Sequence, residues 1–436
     1  MEVLRLRQIA PDRLRQILQR SRAELFDAER VGHVRAIIDD VRQRGDDAVV
    51  DYTQRYDGVQ LSPDRIHVNR DEVRRAHDAV DEGLRAALAN SIERARRYND
   101  WLRPVGLQLE EMETGLTVGI RYTPVESVGV YIPSGKGAFP STLITLVVPA
   151  VVAGVAEIAV LLPPRRDGGA DPAVLVAADM LGVSQVYRCN GVSGIAALAF
   201  GTAAVPRVEL LGGPGNPYVT AAQIAVQAYG VRLLSILGPT ESMILADDSA
   251  DPDRLALDLL NEAEHGADSA TILITTSETL AAEVNEQVPK YLQRLPAQRR
   301  EFAESALSRY GGALIADTLD EAVAFVNLYA PEHLQIATRD PYATALAIRN
   351  AGEILIGQDT PFSAGNYAIG VPAALPTSGF ARVASGVTVL SYLKATSMAC
   401  LSPEGLARVR PVIERLGRYE DFPAHVLAVE ARKGSA

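Results

Sequence analysis

Cysteine is almost missing from this chain, which has two in 436 residues, Cys189 and Cys400, and no CxxC pair. A disulfide framework and a thiolate metal site are therefore not expected, and a reducing compartment fits best. Long apolar runs are missing too. The stretch nearest to membrane length, Leu143 to Leu162, is broken by Pro149, Gly154 and Glu157 and reads as a buried helix followed by a strand. No transmembrane span is expected. The opening residues, MEVLRLRQIAPDRLRQILQRSRAE, alternate charged and apolar side chains without the unbroken apolar segment of a secretory leader, so the expected location is cytoplasmic. Excess positive charge is also absent. Against 54 Asp and Glu stand 43 Lys and Arg, a formal charge of −11 whose field repels phosphates. Neither nucleic acid nor an anionic membrane is an expected partner.

What the chain does contain is apolar surface to bury, since 47% of its residues are hydrophobic. At about 150 residues per domain the length allows roughly three packed units and excludes disorder as the main state. From Gln8 to Pro104, apolar residues recur at spacings of three and four with charges between them, so residues 1–104 read as a helical N-terminal region. A hairpin-like stretch (LQLEEMETGLTVGIRYTPV) follows. Strands VGVYIP, EIAVLLP, QVYRCN, RVELLG and RLLSILG then alternate with Ala-rich helices, which gives an α/β unit over 105–240 with a parallel sheet. A second alternation, with MILADD, ATILITT, GALIAD, LQIAT and EILIG as strands, gives another over 241–385. No residue-level repeat relates the two. The remainder, 386–436, reads as a helical tail in which Ser402 caps and Pro403 opens a helix. It is too short for a core of its own and must dock on the main body or on another subunit.

The histidines are the most informative residues. His33, His67 and His77 lie in charged helical or connecting sequence. His265 follows Glu262 by three positions in LLNEAEHGADS, at the end of a helix that starts at Asp251 and Pro252 and stops at Gly266. That spacing places both side chains on one face, within reach of a shared cation such as zinc. A histidine attracted to the negative end of a helix explains the same spacing, and by spacing alone explains it better. Glu332 and His333 sit in LYAPEHLQIAT, in a loop between a helix stopped by Pro331 and a strand, where a carboxylate beside an imidazole suits acid–base work. The dipeptide alone equally describes a surface loop. His425, in EDFPAHVLAVEAR, lies within the tail. Two glycine-rich turns also precede helices. LLGGPGNPYVTAA, with Gly212, Gly213, Pro214, Gly215 and Asn216, offers backbone N–H groups as an anion-binding loop would. GVYIPSGKGAFPST holds a Gly-Lys-Gly around Lys136, but Ser134 and Gly137 stand where a Walker A loop needs Gly and Ser or Thr, which rules out that nucleotide site.

Taken in order, GVYIPSGKGAFPST, PAVVAGV, GIAALAFGT, GGPGNPYVTAA, LGPTES, LLNEAEHGADS, YAPEHLQI, SAGNYAIG and ALPTSGFARVASGV resemble the histidinol dehydrogenase family over almost the whole chain. DVRQRGDDAVVDYTQRYDGV is a weaker N-terminal match. The resemblance implies two Rossmann-like domains in a homodimer of intertwined subunits, with the tail reaching the partner's active site. It also implies zinc and two uses of NAD⁺, which take an alcohol through an aldehyde to a carboxylate. The family's acid–base pair falls on Glu332 and His333, with His333 as the base for the alcohol proton and Glu332 activating the water that hydrates the aldehyde. The zinc ligands fall on Glu262, His265, Asn366 and His425, cofactor contacts on Tyr131, Ser193 and Asn216, and substrate contacts on Thr240, Phe362, Ala373 and Glu420.

The chain departs from the family at several of these positions. Glu262 stands for a Gln and Asn366 for an Asp, so one carboxylate remains, moved from one ligand to another. Two histidines and a carboxylate still suit zinc with room for substrate. Phe362 replaces an acid, Ala373 replaces a histidine, and Ser193 replaces a Gln on the cofactor side. Loss of polar partners at 362 and 373 disfavours a substrate carrying imidazole and ammonium groups. The expectation is therefore NAD-dependent, zinc-assisted oxidation of a primary alcohol other than histidinol. Histidinol itself is the alternative, and so is a homologue that kept the fold without the oxidation, as a lyase, a hydrolase or a binding protein.

Overall fold

The computed structural model describes residues 1–20, 27–135 and 137–432. Lys136 of the Gly-Lys-Gly turn, six residues of the expected helical region and the last four of the expected tail lie outside the described residues. The chain opens with a short strand, β1 (Val3–Arg5), and runs through helices as far as Leu102. A hairpin of β2 (Leu107–Glu113) and β3 (Leu116–Pro124) follows. The first alternation with helices carries β4 (Ser127–Tyr131), β5 (Glu157–Leu162), β6 (Gln185–Arg188), β7 (Leu210–Gly212) and β8 (Arg232–Leu233). The second carries β9 (Glu241–Ala246), β10 (Ala270–Thr275), β11 (Gly312–Ile315), β12 (His333–Ala337) and β13 (Glu353–Ile356). The chain ends with β14 (Leu393–Leu401) and the helices Pro403–Tyr419 and Pro423–Glu430.

These strands form two parallel sheets, as the α/β reading requires. One has the order β6-β5-β4-β7-β8 and the other β1-β11-β10-β9-β12-β13. Every residue of β4, β9, β10 and β12 is buried. Such unbroken apolar runs arise where helices cover both faces of a parallel sheet. The helices between them begin where local chemistry says they should. Asp251 accepts from the N–H groups of Asp253 and Arg254, with Pro252 in the first helical position of Pro252–Ala263. The near-membrane-length stretch resolves into helix Pro140–Ala153, closed by Gly154 in a left-handed conformation, and then β5.

Both chain ends depart from the helical reading. β1 pairs in parallel with β11 at the edge of the second sheet, although 1–104 was expected to be helical. The tail is not helical throughout either, because the nine residues of β14 pair antiparallel with β3 to make a third sheet, β14-β3-β2. The sequence LKATSMACL holds none of the Val and Ile of the core strands, this ribbon is largely exposed, and strand preference follows burial and neighbours more than backbone propensity. The tail thus docks on its own chain through a full ladder.

One buried pair ties the N-terminal segment to the second sheet. Arg20, in a left-handed conformation at the end of helix Pro11–Gln19, lies 3.0 Å from the Oε2 of Glu241, the first residue of β9, with both side chains almost wholly buried. Its guanidinium stacks 3.4 Å above the Tyr329 ring and donates to the Tyr329 carbonyl. Losing one partner of a buried pair strands the other charge without water. Arg20→Met should therefore lower unfolding stability by about 3–5 kcal/mol, measured by urea denaturation, and by more than Arg13→Met at the partly exposed pair with Glu2.

Candidate active site

The two sheets meet at opposite ends of their strands. The carboxyl ends of the first contribute Tyr131, Pro163, Asn190 and Pro214, and the amino ends of the second contribute Thr240, Ser269, Glu332 and His333. Between them lies a cleft of about 1140 Å³. That is larger than a pocket for one small ligand usually is.

On the second sheet's side, helix Pro252–Ala263 runs back along β9 and delivers Glu262 and His265 to the cleft end. Glu262 is fully buried; its Oε1 accepts from Asn366 Nδ2 at 2.7 Å and from Asn261 Nδ2 at 2.9 Å. Among the described residues its Oε2 has no hydrogen-bond partner, and it lies 3.7 Å from His265 Nε2. The other ring nitrogen of His265 lies 3.3 Å from the Thr240 hydroxyl, which leaves Nε2 toward the carboxylate. Burial works to raise the Glu262 pKa, but His265, His333 and the two amides outweigh it and hold the carboxyl below its usual value. The two positions at which the ligand set departs from the family, 262 and 366, thus touch each other. An unpartnered buried carboxylate oxygen, an imidazole nitrogen and an amide are a donor set that zinc accepts. Among the described residues no three His, Cys, Asp or Glu side chains gather as a metal group. His425 does not join the others, because it is exposed on helix Pro423–Glu430 with its ring against Phe422.

Glu332 and His333 lie at the amino end of β12, after a helix that Ala330 closes in a left-handed conformation. Both are buried yet line the cleft. Glu332 Oε2 accepts the Glu241 backbone N–H at 2.9 Å, and its Oε1 lies 3.7 Å from His333 Nε2. Burial pushes the Glu332 carboxyl up to about 8, against the opposing pull of His333 and the Glu241 N–H. Burial alone would lower His333, but the carboxylates of Glu332, Glu353 and Glu262 outweigh it and push the imidazole up to about 10. Phe362, fully buried, sets its ring edge-on to His333 at 6.0 Å between centroids and does not line the cleft. Ala373 and Thr240 do line it, whereas Glu420 is exposed on the tail.

Sequence reading missed two members of this cluster. Glu353 opens β13 directly opposite His333 in the ladder, and its Oε1 lies 2.5 Å from His333 Nδ1. Glu241, paired with Arg20, underlies Glu332. The available signal was a charged residue at the start of two otherwise apolar strands, GEILIG and TESMILA.

The facing wall fits a dinucleotide. Asn216 caps helix Pro217–Val226, and the glycine turn before it runs against β4, where a Cβ on Gly213 would meet the Tyr131 carbonyl at 2.1 Å. Only glycine allows that approach, and at the helix start the Asn216 side chain takes the N–H groups of Tyr218 and Val219. Tyr131 lines the cleft beside them, its hydroxyl kept protonated well above the usual range by burial. Ser193 lies beneath this wall instead of on it, buried with its hydroxyl near the Asn190 carbonyl. Asn190, which caps the same helix, is half-buried, lines the cleft and donates to Asp57 at 3.2 Å.

Two parallel sheets closing on a cleft, with a buried Glu–His pair on one wall and a glycine-rich turn on the other, define an α/β protein with a two-walled site. The family model described as histidinol dehydrogenase matches residues 20–433, and the chain belongs to the histidinol dehydrogenase family. It is 42% identical, over 99% of both chains, to a histidinol dehydrogenase of Synechocystis. It is 38% identical to a "histidinol dehydrogenase homolog" of Colwellia psychrerythraea, over all of this chain and 97% of the other. The crystal structure of histidinol dehydrogenase from Elizabethkingia anophelis superposes with a TM-score of 0.92 at 32% identity, over 99% of this chain and 97% of that one.

The cluster makes stability depend on pH in a definite direction. Because the folded-state pKa of His333 is raised, its contribution is present in full below about 6.5 and is lost as pH rises through about 10. The stability difference between the native chain and His333→Asn, read from urea unfolding, should shrink steadily across that interval.

Proposed function

We propose that this enzyme oxidises a primary alcohol in two NAD⁺-dependent steps, through the aldehyde to the carboxylate, with an amino alcohol of the histidinol type as substrate. The observation that carries the reading is His333 Nε2 facing the cleft beside Glu332, on the wall opposite the dinucleotide turn. In the first step His333, in its deprotonated form, takes the hydroxyl proton, and bound NAD⁺ would accept the hydride from the carbinol carbon, which gives aldehyde, NADH and a proton. Glu332 then orients water on the aldehyde, and His333 takes a proton from the hydrate as the second hydride leaves. The names of relatives at 42% and 38% identity support histidinol over the different alcohol expected from the altered positions. A second reading, an alcohol without an imidazole, rests on Ala373 lining the cleft and on the aromatic edge of Phe362 behind His333. NADH formation with histidinol, other amino alcohols and diols separates the two. His333→Asn should lower turnover on the accepted substrate by about 10²–10⁴, and NADH formation with none of the panel would reject both readings.

Zinc is part of this proposal, held by Glu262 Oε2, His265 Nε2 and the amide oxygen of Asn366 after a flip of that amide. When bound it would polarise the alcohol oxygen. A homodimer would supply the missing histidine, with His425 and Glu420 of one tail reaching the other subunit's cleft. Their exposure supports this, as does the run of exposed apolar residues Val412, Leu416, Tyr419 and Phe422 beside them. A cytoplasmic location fits the two free cysteines. Elemental analysis should find about one zinc per subunit, lost in Glu262→Gln and restored in Glu262→Gln with Asn366→Asp, which returns the single carboxylate. Light scattering should give a dimer, and a tail cut after Leu401 should lower zinc affinity. A metal-free protein that takes up none in titration calorimetry would overturn the metal assignment.

A further inference from the structure

We propose that Glu353 is a positioning residue for His333, its carboxylate holding the ring as the Nδ1–H tautomer so that Nε2 stays turned to the cleft. The inference rests on reading His333 as the general base. It starts from the ladder. β12 and β13 run parallel with His333 and Glu353 in direct register, so the two side chains leave the sheet on one face. The register is locked on the amino-terminal side of the pair, because Gly352 N–H donates to the Pro331 carbonyl at 2.9 Å and Glu353 N–H to the Glu332 carbonyl at 3.0 Å, and the ladder continues beyond it with Leu334 opposite Ile354. Position 352 has to be glycine for this approach, since a Cβ there would meet the Glu332 carbonyl oxygen at 2.5 Å.

The two carboxylates beside the imidazole take different nitrogens. Glu332 lies on the Nε2 side and lines the cleft. Glu353 lies on Nδ1 at 2.5 Å, is buried, and does not line the cleft, so it meets the ring and never the substrate. Its second oxygen, Oε2, has no hydrogen-bond partner among the described residues, so the imidazole is the only hydrogen-bonding group that holds the carboxylate. The space it occupies is cleared by Gly365, where a Cβ would stand 3.1 Å from Oε2 and 3.2 Å from Oε1. A buried carboxylate is costly to keep, and one aimed at the hidden nitrogen of a base has the geometry that orients an imidazole and stabilises the imidazolium formed when it accepts a proton.

The test compares three variants of the full-length enzyme on the accepted alcohol. Glu353→Ala should lower kcat by about 10²-fold with KM nearly unchanged, because a base with a free ring spends less time aligned. Glu353→Gln keeps an acceptor at the same reach and should recover most of that loss. Glu353→Asp keeps the charge but is one methylene short, and should fall below Glu353→Gln. In protein with ¹⁵N-labelled histidine, a strongly hydrogen-bonded Nδ1–H of His333 should be present in the native and Gln forms and absent in the Ala form. Native kcat in a folded Ala variant, a loss confined to KM, or a native-like Asp variant would overturn the proposal. Should the Ala variant fail to fold, the Gln and Asp variants carry the same comparison. Should the native enzyme oxidise no alcohol, the base reading fails on its own, and an unprotonated Nδ1 would then separately overturn the clamp.

Discussion

Burying four carboxylates around one imidazole is the constraint from which the rest of this molecule follows. Glu241, Glu262, Glu332 and Glu353 are all buried near His333, and one guanidinium, Arg20, lies among them. None of these acids could stay charged in such a place without a partner. Each therefore has one: Arg20 and the Ser378 N–H for Glu241, two amides for Glu262, the Glu241 N–H for Glu332 and the ring of His333 for Glu353. The chain of partners runs from the N-terminal segment through three strand starts to the cleft.

The placement of this cluster is a consequence of sheet orientation. In an open parallel sheet, ligands usually gather at the carboxyl ends of the strands. The first sheet obeys that rule and brings its glycine turn and two Asn-capped helix starts to the cleft. The second sheet presents its amino ends, where the returning helix Pro252–Ala263 also terminates. One wall is thus built of a glycine-rich turn and Asn-capped helix starts and the other of carboxylates and imidazoles.

Much of the fold was legible because its signals are local. The ten core strands of the two parallel sheets announce themselves as short Val- and Ile-rich runs between helical segments, and caps such as Asp251 with Pro252 mark where helices begin. β14 was not legible, because LKATSMACL lacks the Val and Ile that mark the core strands and becomes a strand only when β3 lies beside it. In the site, Glu332, His333, Glu262 and His265 stood out as neighbours in sequence. Glu353 and Glu241 did not, since each is separated from its partner by a whole element and looks like a stray charge at a strand start. Ser193 shows the converse: a position picked out by resemblance turned out to lie under the wall, while Asn190, three residues earlier, lines the cleft.

The sequence by itself determined the α/β alternation, the acid–base dipeptide, the family and the altered ligand positions, because each of these is written in adjacent residues or in motif order. Tertiary structure alone decided that the changed residues Glu262 and Asn366 touch, that Glu353 faces the hidden nitrogen of His333, and that His425 stays away from the cleft of its own chain. Strand register and helix return bring together residues 20 to more than 100 positions apart, and no local periodicity encodes the distance between them.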